Sequence, residues 1–140
     1  MAGFARIDAA AAAGTRFQRL RQELGVTSFG INLIVLQPGE RGRVHRHREQ
    51  EEVYLVLAGE LTLLLEGGEP HTLARGELAR VGPDERRQLV NRGSELLELL
   101  AVGGHGEHVG RDGLAWESWD AGGEGRSPQD VPLPADEPLS

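Results

Sequence analysis

The chain of 140 residues contains no cysteine and no lysine. Without cysteine there is no disulfide framework, no thiolate metal site, no redox pair and no thiol nucleophile. Without lysine there is no phosphate-binding loop of the Gly-Lys-Ser/Thr kind, and all 15 basic residues are arginine. Aromatic residues are scarce: three Phe, two Trp and one Tyr. No apolar run approaches the roughly 18 residues that a membrane span requires, and no basic-then-apolar start marks an export signal. Against the arginines stand 22 acids, for a formal charge of −7, the wrong balance for a general nucleic-acid binder. No serine sits in a Gly-x-Ser-x-Gly setting. These absences predict a cytoplasmic globular protein with no nucleic-acid or membrane partner, long enough for one domain that folds without staples.

What is present is unevenly spread. Residues 120–140 hold five acids, one arginine and four of the seven prolines. Such a segment has too little apolar surface to offset its own ordering entropy. It predicts an acidic, Pro-rich extended tail, either disordered or draped along a partner surface. At the other end, five consecutive alanines precede Phe17, Leu20 and Leu24 at helical spacing. The pattern predicts a short N-terminal helix over Ala9–Leu24, stopped by Gly25, within a helical segment 1–24.

Between these ends the character changes. Short apolar runs at Phe29–Leu36, Val53–Leu57, Leu61–Leu65, Leu78–Val81, Leu89–Val90 and Leu96–Val102 alternate with Gly- and Pro-containing turns. That spacing predicts an all-β sandwich or barrel over 25–119, with a hairpin from Leu61 through Gly67-Gly68 to Ala74. The glycines of Gly104-x-Gly106-x-x-x-Gly110 follow a strand, but no helical pattern or second βα unit follows them, which excludes a dinucleotide site.

The chemistry concentrates in one stretch, from Pro38 to Glu60. If the chain is extended, His45 and His47 point to the same face of a strand. Two imidazoles with a carboxylate from the next strand suit a divalent metal: Fe, Mn, Ni, Cu or Zn. Periodicity alone does not choose among Glu49, Glu51 and Glu52, because a turn between the strands resets the phase.

The stretch resembles the first motif of the cupin superfamily: Gly39, five residues, His45-x-His47, four residues, Glu52, six residues, Gly59. The resemblance covers about residues 25–103. It implies an antiparallel, jelly-roll-like β-barrel of six or more strands with a pocket at one mouth, and homodimerisation, with which the long Phe29–Leu36 strand is compatible. It further implies that His45, His47 and Glu52 are metal ligands. The second cupin motif, from Gly76 to Asn91, supplies a further His four residues before its Asn; here that position is Arg87. Arginine has no lone pair to give a metal. Three positions are open to Arg87. It points away and leaves a three-ligand site; it pairs with Glu52, which is then not a ligand, and offers its guanidinium to a carboxylate or phosphate; or it only packs in a vestigial site. The function implied is therefore twofold. One reading is a small-molecule-binding cupin whose metal is weak or absent and whose ligand is a small anion held by Arg87 and Tyr54. The other is a metal-dependent enzyme, such as a dioxygenase, isomerase or decarboxylase, using His45, His47 and Glu52.

Around these positions Arg41, Arg43, Arg46, Arg48 and Arg86 predict a comparatively basic pocket mouth, favouring an anionic ligand. His71 reads as solvent-exposed. His105 and His108, in a Gly-rich exit loop, are candidates for a replacement ligand. Trp116 and Trp119, three apart, predict a packing clamp at helical spacing on the barrel exterior.

Overall fold

The computed structural model describes residues 3–9, 16–104 and 112–138. Its regular structure is almost wholly antiparallel β: β1 (Phe17–Arg19), β2 (Gly30–Leu36), β3 (Val44–His47), β4 (Glu51–Ala58), β5 (Leu61–Leu65), β6 (His71–Leu73), β7 (Leu78–Val81), β8 (Arg87–Val90), β9 (Leu97–Gly104) and β10 (Gly113–Trp116), with one helix, α1 (Leu20–Leu24). The strands form two five-stranded sheets, ordered β1-β2-β9-β4-β7 and β10-β3-β8-β5-β6. No described helix is long and apolar enough to cross a membrane.

Alternation fills the space between the sheets. Leu36, Tyr54, Val56, Leu61, Leu63, Leu97, Leu99 and Ala101 are buried there in one cluster. Leu33 and Val35, on the other face of β2, are covered by Leu20 of α1. Leu33–Leu36 is a continuous apolar run because β2 is covered on both faces there, its outer side by this chain's own helix. One turn shows why glycine is required: Gly59 has φ +77°, and a Cβ there would lie 2.4 Å from the Leu96 carbonyl oxygen.

The expected helix over Ala9–Leu24 shrinks to the single turn of α1; residues 10–15 lie outside the described residues. Phe17–Arg19 are extended because their backbone groups extend a sheet, opposite Ile34, Leu33 and Asn32. Sheet pairing overrides a helical spacing of only three residues. The two tryptophans are likewise not on a helix. Trp116 ends β10, buried beneath the Arg86 guanidinium at 3.8 Å, and Trp119 Nε1 donates to Gln88 Oε1 at 2.8 Å. Their packing role does not need helical spacing.

The tail is extended and lies on its own barrel. Arg126 bridges Ala115, and after a 3₁₀ turn at Pro128–Asp130 the chain buries Val131. Arginines of the His-x-His stretch hold the segment from Val131 onward: Arg43 Nε donates to Val131 O at 2.7 Å and Arg41 Nε to Ala135 O at 2.8 Å. Arg92 grips the Glu137 carboxylate with two nitrogens, at 2.9 and 3.1 Å. The acidic tail thus meets the cations its composition lacks.

Val131→Ala is expected to lower stability by about 2 kcal/mol in urea denaturation, whereas Leu133→Ala, at a half-exposed site, changes it little. The Arg92 hydrogen bonds hold the Glu137 carboxyl below its ordinary value. A depressed folded-state pKa stabilises above the unfolded value and is lost as pH falls through the folded one. Protection of the tail amides in hydrogen exchange is therefore expected to fall on acidification in this protein and to be pH-insensitive over that range in Glu137→Gln.

Candidate metal centre

Consecutive strands here belong to opposite sheets. β3 pairs with β8 and β10, while β4 pairs with β7 and β9, so the histidines and the following glutamates face one another across the interior. The turn at residues 48–50 resets the phase. Glu49 and Glu51 emerge exposed, with Glu51 ion-paired to Arg80 at 2.8 Å, and Glu52 points inward.

The three sequence candidates converge. Glu52 Oε1 lies 3.7 Å from His45 Nε2 and 3.4 Å from His47 Nε2, and one ligand atom from each residue falls within 4.8 Å of the others. Ligands at about 2.1 Å from an ion stand roughly 3.0–3.4 Å apart at octahedral to tetrahedral angles, close to the two distances from Glu52. Second partners orient both rings. His45 Nδ1 lies 3.1 Å from the Arg43 carbonyl oxygen, and His47 Nδ1 lies 2.7 Å from Asp112 Oδ1. Each acceptor selects the tautomer with hydrogen on Nδ1, which leaves the Nε2 lone pair facing Glu52. His47 Nε2 is buried without a hydrogen-bond partner. Two imidazole nitrogens and a carboxylate oxygen converge in the interior. The donor set fits a divalent ion.

Asp112 escaped the sequence reading. Its Oδ1 serves His47, and its Oδ2 accepts from the backbone N–H of Glu49 at 3.1 Å and Gln50 at 2.9 Å. It lies 65 residues from His47, at the head of a four-residue strand, with no spacing to give it away. Tyr54 faces the same interior, as alternation predicts, and its O–H donates to Glu52 Oε1.

Arg87 stands opposite His45 in the β3–β8 register and has no exposed surface. Its Nη1 donates to Glu85 O at 2.8 Å and its Nη2 to Gly82 O at 3.2 Å, both carbonyls of the β7–β8 turn. Its Nε makes no hydrogen bond and lies 3.8 Å from Glu52 Oε1. Of the three positions open to Arg87, this matches the contact with Glu52 alone; the guanidinium has no exposed surface to offer a carboxylate or phosphate.

The charges are mutually dependent. Burial would raise the Glu52 pKa, but His45 and His47 reverse this and hold it well below the ordinary carboxylate range. Burial opposes charge on His47, but Glu52 and then Asp112 outweigh it and hold the imidazole pKa above its ordinary value. Burial, reinforced by the Glu52 charge, pushes Tyr54 well up, so it remains a donor.

A cavity of about 320 Å³ opens beside His47 and Glu52, lined also by Arg19, Asn32, Gln50 and Asp112. A larger, more open groove of about 540 Å³ between Leu63, Leu73 and Leu78 contains none of the converging residues. The arginines that suggested a basic mouth lie elsewhere. Arg41 and Arg43 hold the tail, Arg86 lies over Trp116, and Arg46 pairs with Asp84 at 3.6 Å. His71 is exposed on β6; His105 and His108 lie outside the described residues.

The cupin domain family model matches residues 32–103. An uncharacterised protein of Methanocaldococcus jannaschii is 36% identical over 73 residues, 51% of this chain and 61% of that protein. The chain thus spans about three-fifths of that relative's length. Among solved structures, a sugar phosphate isomerase of the cupin superfamily from Silicibacter pomeroyi is 27% identical, with a TM-score of 0.61 over 94% of this chain and 89% of that one. A cupin protein from Bacteroides fragilis shares the fold at a TM-score of 0.65, with 20% identity over 96% of this chain and all of that one.

In metal-free protein, NMR titration of the imidazole signals is expected to show the His47 pKa falling in Glu52→Gln and, by less, in Asp112→Asn. An unchanged pKa in both variants would contradict the pairing described here.

Proposed function

The chain belongs to the cupin domain family, and from that premise we propose that it binds a divalent metal through His45, His47 and Glu52 and presents that metal to a small anionic molecule. One observation carries the reading: the buried, unpartnered Nε2 of His47, with its ring fixed by Asp112, faces the same point as His45 Nε2 and Glu52. Two imidazoles and a carboxylate suit Fe, Mn, Ni, Cu or Zn and leave coordination positions open. When bound, the metal would supply Lewis acidity toward an oxygen of the ligand.

The other residues serve that centre. Tyr54 and Arg87 hold the carboxylate of Glu52, one by its O–H and the other by its charge. Arg87 stabilises Glu52 rather than reaching for a ligand, since its surface is fully covered and its terminal nitrogens face carbonyls. The charge of Arg87 still matters to the ligand. A dication together with Arg87 outweighs the two carboxylates of Glu52 and Asp112, so the loaded site is net positive and favours an anion.

A second reading makes the site catalytic, acting as an isomerase on a small phosphorylated sugar. It is favoured by the 27% identity, along 94% of this chain, to the Silicibacter pomeroyi isomerase.

Isothermal titration of chelator-treated, untagged protein with Mn²⁺, Ni²⁺ and Zn²⁺ is expected to give one ion per chain. His45→Ala and His47→Ala should each abolish uptake, and Arg87→His, which sets a third imidazole beside His45, should tighten it tenfold or more. Wild-type protein that takes up none of the three ions would overturn the reading. Because a proton competes for the raised-pKa imidazole of His47, affinity is expected to be level above that pKa and to fall about tenfold per pH unit below it.

A further inference from the structure

The cavity beside the metal ligands has a wall that the chemistry above does not use. In the β1–β2 register Phe17 lies opposite Ile34 and Arg19 opposite Asn32. Opposed residues of an antiparallel pair share a face. Ile34 packs on the interior cluster, so Phe17 and Arg19 project on the interior side of their sheet, where both line the cavity.

The cavity is kept open at inward strand positions by glycine. A Cβ on Gly103 would come within 3.2 Å of Gln50 Oε1 and 3.3 Å of Glu52 Cγ, and one on Gly113 within 3.3 Å of Pro128 Cγ. Gly30, opposite Gly103 in the β2–β9 register, lines the same space. Ordinary side chains at these positions would crowd the region in which a ligand must approach Glu52 and His47.

Arg19 differs from the arginines around it. Arg41, Arg43 and Arg87 each donate to carbonyl oxygens, and Arg21, also on the cavity wall, donates to Val26 O at 3.1 Å. Arg19 has neither a hydrogen-bond nor an ion-pair partner among the described residues, although its side chain faces a cavity that also holds Glu52 and Asp112. Beside it Phe17 remains 48% exposed, an apolar face on the same wall. A free guanidinium next to an aromatic ring, at the mouth of a pocket near the small end of the usual range, suits a small organic oxyanion with a hydrocarbon face.

We propose that Arg19 is the specificity-determining residue of this pocket, binding the phosphate or carboxylate of a small organic anion whose other end reaches the metal. The proposal rests on the metal-and-anion reading above and adds the residue that selects the ligand. Two N–H groups of one guanidinium can meet two oxygens of either group, so both anions share the recognition chemistry. Phe17 covers the carbon skeleton between the two ends. Asn32, opposite Arg19, offers an amide to a hydroxyl on the way.

The test uses the full-length, Mn²⁺-loaded protein and four probes: ribose 5-phosphate, ribose, malate and inorganic phosphate. At least one organic anion is expected to bind more tightly than ribose; ribose 5-phosphate would identify a phosphate ester and malate a carboxylate. Arg19→Gln is expected to weaken that anion 10- to 100-fold, with Mn²⁺ uptake and Tm unchanged. Arg19→Lys should restore part of the loss, and Arg48→Gln, an exposed arginine outside the cavity, should have no effect. Wild-type affinity in Arg19→Gln, or no anion bound more tightly than ribose, would overturn the proposal. Failure of Mn²⁺ uptake in the parent would instead count against the metal reading, and anion binding that still depends on Arg19 would then uphold the arginine's role alone.

Discussion

A single negative charge organises this molecule. Glu52 lies between two sheets, and a carboxylate in that position persists only if cations and donors surround it. His45 and His47 reach it from the facing sheet, Tyr54 donates to it from its own strand, and the Arg87 guanidinium stands 3.8 Å away. His45 and Arg87 are themselves secured by backbone carbonyls, and His47 by Asp112. The result is a buried polar network in which most members have a second anchor. The exception is the pair of Nε2 lone pairs, and that exception is where a metal fits.

The same layout grades the barrel from one end to the other. Along β4 the inward residues run Val56, Tyr54, Glu52; along β9 they run Leu97, Leu99, Ala101, Gly103. Large apolar side chains give way to polar or missing ones, so the far end is a packed core and the near end a cavity. Packing at the closed end supplies the rigidity that holds the open end in place. The tail joins this arrangement from outside. Pro128 and Gln129 form part of the cavity wall, and Arg43, whose carbonyl orients His45, also holds Val131.

Arg87 shows how one substitution alters a site without dismantling it. At the position opposite His45 an imidazole would face the metal, whereas arginine is too long and always charged. The chain accommodates it by turning its terminal nitrogens to the β7–β8 turn while keeping Nε near Glu52. The site retains three ligating groups and gains a fixed positive charge. That charge supports Glu52 as a carboxylate.

Much of this was legible in order along the chain. Alternation and turn residues outlined seven of the ten strands, and the spacing from Gly39 to Gly59 singled out His45, His47 and Glu52. The strands that escaped altogether, β1 and β10, are three and four residues long and exist because a neighbouring strand pairs with them. Those two strands supply Arg19 and, just before β10, Asp112, which is why both were invisible to spacing. The sequence by itself determined the fold class and the candidate ligands, because periodicity and motif spacing are local properties. Only the tertiary structure decided which arginines face the cavity, where the tail lies and what orients His47. Those are contacts between segments far apart in the chain, and no local pattern encodes them.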